Sequence, residues 1–574
     1  MTVTDDPWWK NASIYQIYPA SFKDSNGDGL GDLPGILSEL DYIKSLGVDA
    51  IWICPMYDSP QHDMGYDISD YEKVYPPYGT VEDMERIIAA SHERGLRVLL
   101  DLVINHTSDQ HAWFKESRSS KASPKRDWYV WRPAKHDPVT GARLPPNNWR
   151  SNFGGSAWEW DEPTQEYYLH LFCVEQPDLN WENDETRAAI YESAMEFWLR
   201  KGIDGFRVDT VNMYSKPQPF PNAPIVDPHS PWQGAASLYC NGPRMHEFLA
   251  EMHAILAKHG AMTVGELPHT HDRAHVLRYV SASARQLDMT FMFDVVDVGF
   301  GADQRFDTTP RAWRLRDLKD AVARTQDLID GSGEAWTTSF MENHDQARSV
   351  SRFGCERTRE LRERSAKMLA AMLASLSGTL FLYQGQEIGM VNAPAEWGVG
   401  EYKDVDSRNF AKWMEERYGV EVGRPRAMAA LQHLARDHAR LPMQWDDGYQ
   451  AGFTTSDAPW MRVHDNHGEV NVKSESARKD SVLAFWRQML RTRKEYAPSL
   501  VYGTTEIRDL DDEKTFVFEK RGKGQNAVVA LNFTEEEVPV EVPGKDGKKL
   551  VAGNYADEVE GVLRPFEARV WVGA

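Results

Sequence analysis

The feature that most constrains the fold is a regular alternation of short apolar segments with helical segments along most of the chain. Eight apolar runs, each ending in polar residues, predict strands at residues 13–18, 49–54, 97–104, 202–210, 262–266, 288–294, 336–345 and 378–387. Apolar runs bounded by glycine or polar residues are typical of parallel strands buried on both faces. Eight such strands alternating with helices predict an α/β fold, a closed (β/α)8 TIM barrel, rather than an open doubly wound sheet.

Two parts of the chain depart from this alternation. Residues 106–176 are rich in Trp, Pro, Ser and charge, without a long apolar helix, and predict a small domain inserted after strand 3 over the barrel mouth. The barrel would then comprise residues 1–105 and 177–499, with an elaborated segment at 391–440 after strand 8. From residue 500 to 574, short alternating segments separated by Gly, Asn and Asp predict a C-terminal antiparallel β-sandwich.

The composition limits the class of partner. Of 574 residues, 65 are basic and 87 acidic, and the net charge of −22 argues against nucleic acid and anionic membrane as partners. No run of about 18 apolar residues occurs, and the first ten residues do not resemble a signal peptide. Four widely spaced cysteines without metal-ligand spacing predict a reducing, cytoplasmic setting: Cys54, Cys173, Cys240 and Cys355. We expect a monomer or homodimer with a small-molecule ligand.

Polar residues follow the apolar runs of four predicted strands. They are Asp101, Asn105 and His106 on the third, Arg207 and Asp209 on the fourth, Glu266 on the fifth, and His344 and Asp345 on the seventh. A closed barrel brings the carboxyl ends of its strands together at one mouth, where ligands bind. Any one of these carboxylates could anchor a loop or form a structural ion pair. The whole set at strand ends indicates a catalytic site.

Several short motifs make the chain similar to a known family. Six segments resemble the short motifs of the α-amylase family, glycoside hydrolase family 13. They are D-L-V-I-N-H (101–106), G-F-R-V-D (205–209), V-G-E (264–266), E-N-H-D (342–345), Q-P-D-L-N-W (176–181) and G-Y-D (65–67). Within that family, Q-I-Y-P (16–19) and R-L-P-M-Q-W-D (440–446) resemble the α-glucosidase and oligo-1,6-glucosidase branch. The order of the motifs matches the family along nearly the whole chain.

The resemblance implies a role for each of three acidic residues. Asp209 would be the nucleophile, Glu266 the general acid and base, and Asp345 the carboxylate that stabilises the transition state. Cleavage with retention needs one ionised and one protonated carboxyl about 5 to 5.5 Å apart. Arg207 would keep Asp209 anionic by Coulomb attraction, whereas burial and nearby carboxylates would raise the pKa of Glu266.

The resemblance also implies how the substrate is held. His106, His344, Asp67 and Arg440 would bind the hydroxyls of the terminal glucose, and Tyr66 would stack on its ring, although a packing role for Tyr66 stays open. We expect Asp67 and Arg440 to pair and close one end of the cleft. The resulting pocket would admit the end of a sugar chain, which predicts an exo-acting enzyme.

Thr210, directly after the proposed nucleophile, bears on the bond that is cut. Within this branch, a threonine at this position resembles the sequences of maltase-like enzymes, whereas a valine would resemble those of enzymes that cut isomaltose. One hydrogen bond gained or lost shifts selectivity markedly, so we expect α-1,4 bonds to be preferred. The alternatives are an oligo-1,6-glucosidase, a transglycosylating or isomerising relative of the sucrose or trehalose isomerase type, and, more remotely, a non-catalytic interaction subunit.

The loop after the first strand carries oxygen-bearing residues at alternate positions. They are the side chains of Asp24, Asn26, Asp28 and Asp32, with the Leu30 carbonyl in the seventh place of the motif. Position twelve is Gly35 and not a bidentate glutamate, so the loop is no EF-hand. The resemblance implies a structural Ca²⁺ or Mg²⁺ here, and the alternative is an acidic loop without metal. No organic cofactor is expected.

Overall fold

Eight short parallel strands form the central sheet of the computed structural model, which describes residues 6–301, 306, 312–330 and 333–573. Numbered β1 to β8 in chain order, they are Ser13–Ile17, Ala50–Ile53, Arg97–Leu102, Gly205–Val208, Met262–Glu266, Met289–Phe291, Thr338–Ser339 and Thr379–Tyr383. Their order in the sheet is β6-β5-β4-β3-β2-β1-β8-β7. A parallel bridge between Thr290 and Thr337 joins the two end strands. The predicted barrel is therefore confirmed.

The barrel strands are short and almost completely buried. Apart from Arg97, which is exposed at the start of β3, every residue of β1 to β8 is buried. Each fully buried Val, Leu, Ile or Phe contributes about 1.5–3 kcal/mol relative to exposure. Because this packing fixes the strands, the side chains that follow their carboxyl ends are held on a rigid frame.

Helices cover the outside of the barrel. Those following its strands are Leu33–Ser38, Leu40–Leu46, Val81–Glu93, Asp184–Ile190, Phe197–Arg200, Met245–His259, Arg273–Val280, Leu315–Asp330, Arg359–Ser375 and Val482–Glu495. The sequence predicts a single helix at 36–46, but the chain breaks at Glu39, whose φ of −106° and ψ of 10° are not helical. Tyr191–Glu196 is a π-helical stretch between two of the α-helices.

The inserted segment forms an antiparallel layer over the mouth. Its three-stranded sheet comprises Trp131–Arg132, Trp158–Asp161 and Glu166–Leu169. A hydrophobic cluster beside it joins Trp149 and Trp158 to Phe220 and Tyr239, which follow β4 in the chain. Residues from the loop after β4 therefore share a core with the inserted segment, although they lie far from it in sequence.

After β8 the chain forms an antiparallel helix pair and a turn. Val405–Tyr418 and Val420–Leu434 pack together through Phe410, Met414 and Leu431. The 3-10 turn Arg436–Arg440 follows and is buried. The predicted elaborated segment is thus mainly helical, and its last turn brings two arginines to the mouth.

The C-terminal part is an antiparallel sheet with a small second layer. Its strands are Thr504–Arg508, Thr515–Gly522, Gln525–Asn532, Lys549–Gly553 and Ala568–Gly573, and a two-stranded ribbon pairs Val538–Pro539 with Val562–Leu563. One face of the sheet, including Phe516 and Val529, belongs to the main core. The other face, including Val528 and Trp571, packs in a separate cluster with Leu563 of the ribbon. No helix among the described residues is long and apolar enough to cross a membrane.

Candidate active site

Arg207, on β4, is the centre of a buried charge cluster at the barrel mouth. Its Nη1 lies 2.6 Å from Asp101 Oδ1 and 2.8 Å from Asp209 Oδ1, and its Nη2 lies 2.8 Å from Glu266 Oε1. Asp101 belongs to β3 and Glu266 to β5, the two strands that pair with β4. One guanidinium therefore holds three carboxyls from neighbouring strands, as the strand-end pattern predicts.

Thr210 connects two of these carboxyls directly. Its backbone N–H donates to Glu266 Oε2 at 3.2 Å, and its Oγ1 donates to Asp209 Oδ2 at 3.1 Å. Thr210 has a φ of 38°, in the left-handed region that β-branched residues rarely adopt. This backbone geometry turns the chain sharply after β4 and aims its amide at the carboxyl of Glu266.

Burial and nearby charges give the carboxyls of Asp209 and Glu266 different pKa values. Burial raises the pKa of Asp209 to about 6, while Arg207 and the Thr210 hydroxyl lower it. Burial raises the pKa of Glu266 to about 7, with Arg207 lowering it and the charges of Asp209 and Asp345 raising it further. Near neutral pH the arrangement therefore favours an ionised Asp209 beside a protonated Glu266.

Asp345 is held by two arginines from the turn after the helix pair. Its Oδ1 accepts from Arg440 Nη2 at 2.8 Å and from Arg436 Nη1 at 3.2 Å, and its Oδ2 lies 3.3 Å from His344 Nε2. Its side chain is 23% exposed, compared with 8% for Asp209 and 10% for Glu266. Asp345 therefore lies on the more open side of the cluster.

His344 and Tyr66 form a stacked pair beside the cluster. Their ring centroids are 5.2 Å apart at an interplanar angle of 6°, and Tyr66 Oη lies 2.7 Å from His344 Nε2. Gln16 Nε2 lies 2.9 Å from His344 Nδ1. Because burial lowers the pKa of His344 to about 3, the imidazole is neutral at physiological pH. His106 is also neutral, with its pKa lowered to about 4 by burial.

The predicted pairing of Asp67 with Arg440 is wrong. Asp67 is fully buried and accepts hydrogen bonds from Ser59 Oγ, His62 N and Asp63 N, so its carboxylate holds the turn that carries Asp63. The pair that does form joins Asp63 and Arg436, each four residues before the predicted partner, with Arg436 Nη2 3.4 Å from Asp63 Oδ1. Asp63 carries the same charge as Asp67, and Arg436 the same charge as Arg440, and the sequence does not show which residue of each two faces the cleft.

Arg440 instead positions Asp345 by binding its carboxylate and the backbone next to it. Its Nε donates to the His344 carbonyl at 3.1 Å, its Nη2 binds Asp345, and its Nη1 binds Asp404. Asp404 also lies 2.9 Å from Arg436 Nη2. Asp404, Arg436 and Asp63 were not among the predicted site residues, although the R-D-H-A-R spacing at 436–440 places two arginines one helical turn apart.

A second buried ion pair joins the inserted segment to the loop after β4. Lys216 Nζ lies 2.8 Å from Asp178 Oδ2, 3.0 Å from Asn105 Oδ1 and 2.7 Å from the Met213 carbonyl. Asn105 begins the excursion into the inserted segment and Asp178 ends it. Lys216 therefore fixes both ends of that segment beside His106.

The loop at residues 24–32 is closed by hydrogen bonds from its backbone N–H groups to its own acidic and amide side chains. Asn26, Asp28 and Leu30 donate their backbone N–H groups to the side chains of Asp24, Asn26 and Asp28 respectively, at 2.8–2.9 Å. Asp24 also accepts from Gly27 and Gly29, and Asp32 caps the helix Leu33–Ser38 through Gly35 N. Its oxygen donors suit a hard cation. Over the described ranges, no group of three or more His, Cys, Asp or Glu side chains could hold a metal ion.

Comparison with known proteins gives full-length matches. The family profile "Alpha amylase, catalytic domain" matches residues 16–503. An α-glucosidase of Candida albicans is 50% identical, covering 99% of this chain and 100% of its own. An oligo-1,6-glucosidase of Saccharomyces cerevisiae is 47% identical, with 99% and 98% covered.

Solved structures match over the whole chain as well. The trehalose-6-phosphate hydrolase of Bacillus licheniformis has a TM-score of 0.89 at 38% identity, covering 99% of this chain and 100% of the hydrolase. The isomaltulose synthase of Erwinia rhapontici has a TM-score of 0.92 at 36% identity, with 99% of both chains covered. The resemblance drawn from the short motifs is thereby confirmed. The chain belongs to the α-amylase family of glycoside hydrolases, family 13.

Proposed function

We propose that this chain is a retaining, exo-acting α-glucosidase that removes the non-reducing glucose from short α-glucosides, with α-1,4 bonds preferred. The observation that carries the proposal is the Arg207 cluster, in which Asp209 and Glu266 share one guanidinium but differ in pKa. A retaining glycosidase requires one ionised and one protonated carboxyl on either side of the scissile bond. The α-glucosidase and oligo-1,6-glucosidase relatives support the substrate class.

The proposed reaction has two steps that use the same carboxyls. Asp209 attacks the anomeric carbon while Glu266 gives its proton to the glycosidic oxygen, which leaves with the aglycone. Glu266, now ionised, takes a proton from water, and the resulting hydroxide displaces Asp209 and releases glucose with retained configuration. Asp345, oriented by Arg440 and Arg436, would stabilise the positively charged sugar ring of the transition state.

The exo action follows from what closes one end of the cleft. Asp63, Arg436 and Asp404 form a buried charged wall next to Asp345. Hydroxyls of a terminal glucose can exchange hydrogen bonds with such a wall, but a chain that continues past that glucose would meet it. His106, His344 and Tyr66 would line the same pocket, since all three surround the Arg207 cluster.

The test measures hydrolysis of p-nitrophenyl α-glucoside, maltose, isomaltose, sucrose and soluble starch side by side. We expect maltose and the aryl glucoside to be cut, starch to be poor, and the first glucose seen by NMR to be the α-anomer. Asp209→Asn should lower kcat by about 10³-fold or more. The exposed Asp511 serves as a control in Asp511→Asn, which should keep full activity. Full activity of Asp209→Asn, or release of the β-anomer, would refute the proposal.

The second candidate is a transfer or isomerisation reaction on the same site. It is favoured by the likeness to the isomaltulose synthase structure, and the two reactions differ in whether water or a sugar hydroxyl displaces Asp209. Product analysis with sucrose at low and high concentration separates them. Glucose and fructose as sole products at both concentrations support the hydrolase, whereas a new disaccharide supports the isomerase.

We also infer a cytoplasmic monomer or homodimer. The four cysteines, Cys54, Cys173, Cys240 and Cys355, are buried and unpaired, which is usual for proteins kept in a reducing compartment. Light scattering on the purified chain measures the oligomeric state, and cell fractionation measures the location. A stable tetramer or a secreted product would contradict the inference.

A further inference from the structure

Gln16 is a buried amide inside the barrel to which the proposed function gives no role. It lies on β1, in the Q-I-Y-P segment at 16–19, and is 1% exposed. Its Nε2 lies 2.9 Å from His344 Nδ1 and donates to Cys54 Sγ at 3.2 Å. Burying an amide is costly unless it is hydrogen-bonded, and these contacts lower that cost. Gln16 therefore reaches a residue of the candidate site directly, from within the barrel.

The chemistry of the two groups fixes the direction of the hydrogen bond between Gln16 and His344. The Nε2 of an amide carries two hydrogens and accepts none, so His344 Nδ1 is the acceptor and holds no proton. Burial lowers the pKa of His344 to about 3, so the ring is neutral at physiological pH. A neutral imidazole carries one N–H, which must then be on Nε2. The contact with Gln16 therefore selects one of the two tautomers of His344.

The groups around the other ring nitrogen suit the same tautomer. His344 Nε2 lies 2.7 Å from Tyr66 Oη and 3.3 Å from Asp345 Oδ2, and both oxygens can accept its N–H. When Tyr66 Oη accepts from His344, its own hydrogen goes to Asp101 Oδ2 at 3.2 Å. In the other tautomer, a lone pair of the imidazole would face the carboxylate of Asp345. The contacts at both nitrogens therefore agree on a proton at Nε2.

We propose that Gln16 is a positioning residue that keeps the proton of His344 on Nε2, the nitrogen that faces Asp345. The inference rests on the proposed function and deepens it, because Gln16 acts on the reaction only through His344. With the proton on Nε2, His344 can donate to a hydroxyl of the terminal glucose or to the carboxylate of Asp345. With the proton on Nδ1, the same nitrogen could only accept, and Asp345 would lose a donor.

Nitrogen-15 NMR on the full-length protein, labelled at histidine, tests the tautomer without any change at Gln16. The spectrum of His344→Phe identifies the signals of this ring among the 18 histidines, because it lacks them. In the unmodified chain at neutral pH, we expect His344 to show a protonated Nε2 and an unprotonated Nδ1. A protonated Nδ1 would overturn the proposal, whatever the activity of the protein.

Gln16→Met tests whether this amide sets the tautomer, because methionine has a similar length but no N–H to donate. We expect the signals of His344 to show a mixture of both tautomers and kcat/KM for maltose to fall about threefold to tenfold, the effect of one neutral hydrogen bond. Gln326→Met is the matched control. Gln326 is 2% exposed and donates to the Ser377 carbonyl, before the start of β8. The control should keep the His344 signals and kcat/KM of the unmodified chain.

Two results for the variants would also overturn the positioning role. Unchanged His344 signals in Gln16→Met would show that other contacts fix the tautomer, and an equal loss of kcat/KM in Gln326→Met would show that removing any buried amide has the same effect. If Gln16→Met loses its native circular dichroism, the spectrum of the unmodified chain still decides. Absence of hydrolysis by the unmodified chain would refute the proposed function and not the tautomer, so the two failures are distinguishable.

Discussion

At the scale of single residues, Arg207 determines how the site is charged. Its side chain is 1% exposed, and it faces three carboxyls, so a fully ionised cluster would carry two uncompensated negative charges. Unbalanced buried charge is costly, and the cluster lowers that cost by keeping a proton. Glu266, with the higher pKa of the two reacting carboxyls, is where the proton stays. Burial and the charges of Asp209 and Asp345 therefore keep Glu266 protonated against the opposing effect of Arg207, and the proposed mechanism uses this proton for the departure of the leaving group.

The pH dependence of activity follows from these two carboxyls. We expect a bell-shaped kcat/KM, falling on the acid side near pH 6 as Asp209 gains a proton and on the alkaline side near pH 7 as Glu266 loses one. Glu266→Gln, assayed on an aryl glucoside whose leaving group needs no acid, should lose the alkaline limb of its first step. Stopped-flow release of p-nitrophenol measures this step. An alkaline limb that persists in Glu266→Gln would assign it to another group.

Substitution of Thr210 tests, also at the residue scale, which glycosidic linkage the enzyme prefers. Its hydroxyl donates to Asp209 and its amide to Glu266, so removing only the hydroxyl alters the nucleophile while leaving the turn in place. We expect Thr210→Val to shift the ratio of kcat/KM for maltose over isomaltose toward isomaltose by about tenfold. Thr210→Ser keeps the hydroxyl and should keep the ratio. An unchanged preference in Thr210→Val would show that Thr210 does not determine which linkage is preferred.

At the scale of elements, the barrel was predictable and the pocket wall was not. Apolar runs such as Met262–Glu266 predict strands, because their short length and the glycine and polar residues that bound them are typical of buried parallel strands. The wall made by Asp63, Arg436 and Asp404 arises from loops whose conformation depends on contacts between distant segments. The expected pair of Asp67 and Arg440 failed for this reason: periodicity specifies strands and helices, whereas loop side chains are oriented by tertiary packing.

The loop at residues 24–32 is proposed to bind Ca²⁺ or Mg²⁺ as an element that supports the first βα connection. Asp24 Oδ2 accepts from Gly29 N at 2.8 Å and also binds Thr454, so the loop is already tied to the segment after the helix pair. A cation would add to these ties without reaching the reacting groups. We expect removal of metal with EDTA to lower the Tm by several degrees while kcat at 25 °C changes little.

Asp28→Asn tests whether that metal effect belongs to the loop. Asp28 is exposed, and its Oδ1 accepts only one hydrogen bond from this loop, from Leu30 N at 2.9 Å. Asparagine keeps that acceptor but removes the charge that a cation prefers. The variant should lose the difference in Tm between metal-loaded and EDTA-treated protein. If EDTA lowers the Tm of Asp28→Asn as much as that of the unmodified chain, the metal binds elsewhere. If EDTA does not change the Tm of the unmodified chain, the proposal that the loop binds a cation is refuted.

At the scale of the whole molecule, a buried lysine joins the C-terminal sheet to the barrel. Lys520 is fully buried, and its Nζ donates to Thr505 Oγ1 at 2.8 Å and to Ser377 Oγ at 2.5 Å, just before β8. The junction therefore contains fixed polar contacts as well as apolar packing, which favours one orientation of the sheet on the barrel.

Lys520 also predicts how stability varies with pH. Burial lowers its pKa to about 7, with Asp330 opposing and Arg493 adding to the effect, whereas an unfolded lysine titrates near 10.4. Between these values the unfolded chain binds more protons, so the free energy of unfolding should rise with pH. Urea unfolding of the unmodified chain and of Lys520→Met at pH 7, 8 and 9 measures the difference. Parallel curves for the two proteins would show that the lysine does not titrate in this range.

The place of β1 in the barrel has a consequence for how the protein is made. Ser13–Ile17 pairs with β2 on one side and with Thr379–Tyr383 on the other. At about 5–20 residues per second, a ribosome needs roughly 20–70 s to advance from the first of these strands to the last. Throughout that interval the nascent chain presents an unpaired strand edge, which is a template for misassociation. Newborn chains should therefore depend on chaperones until the final barrel strand emerges.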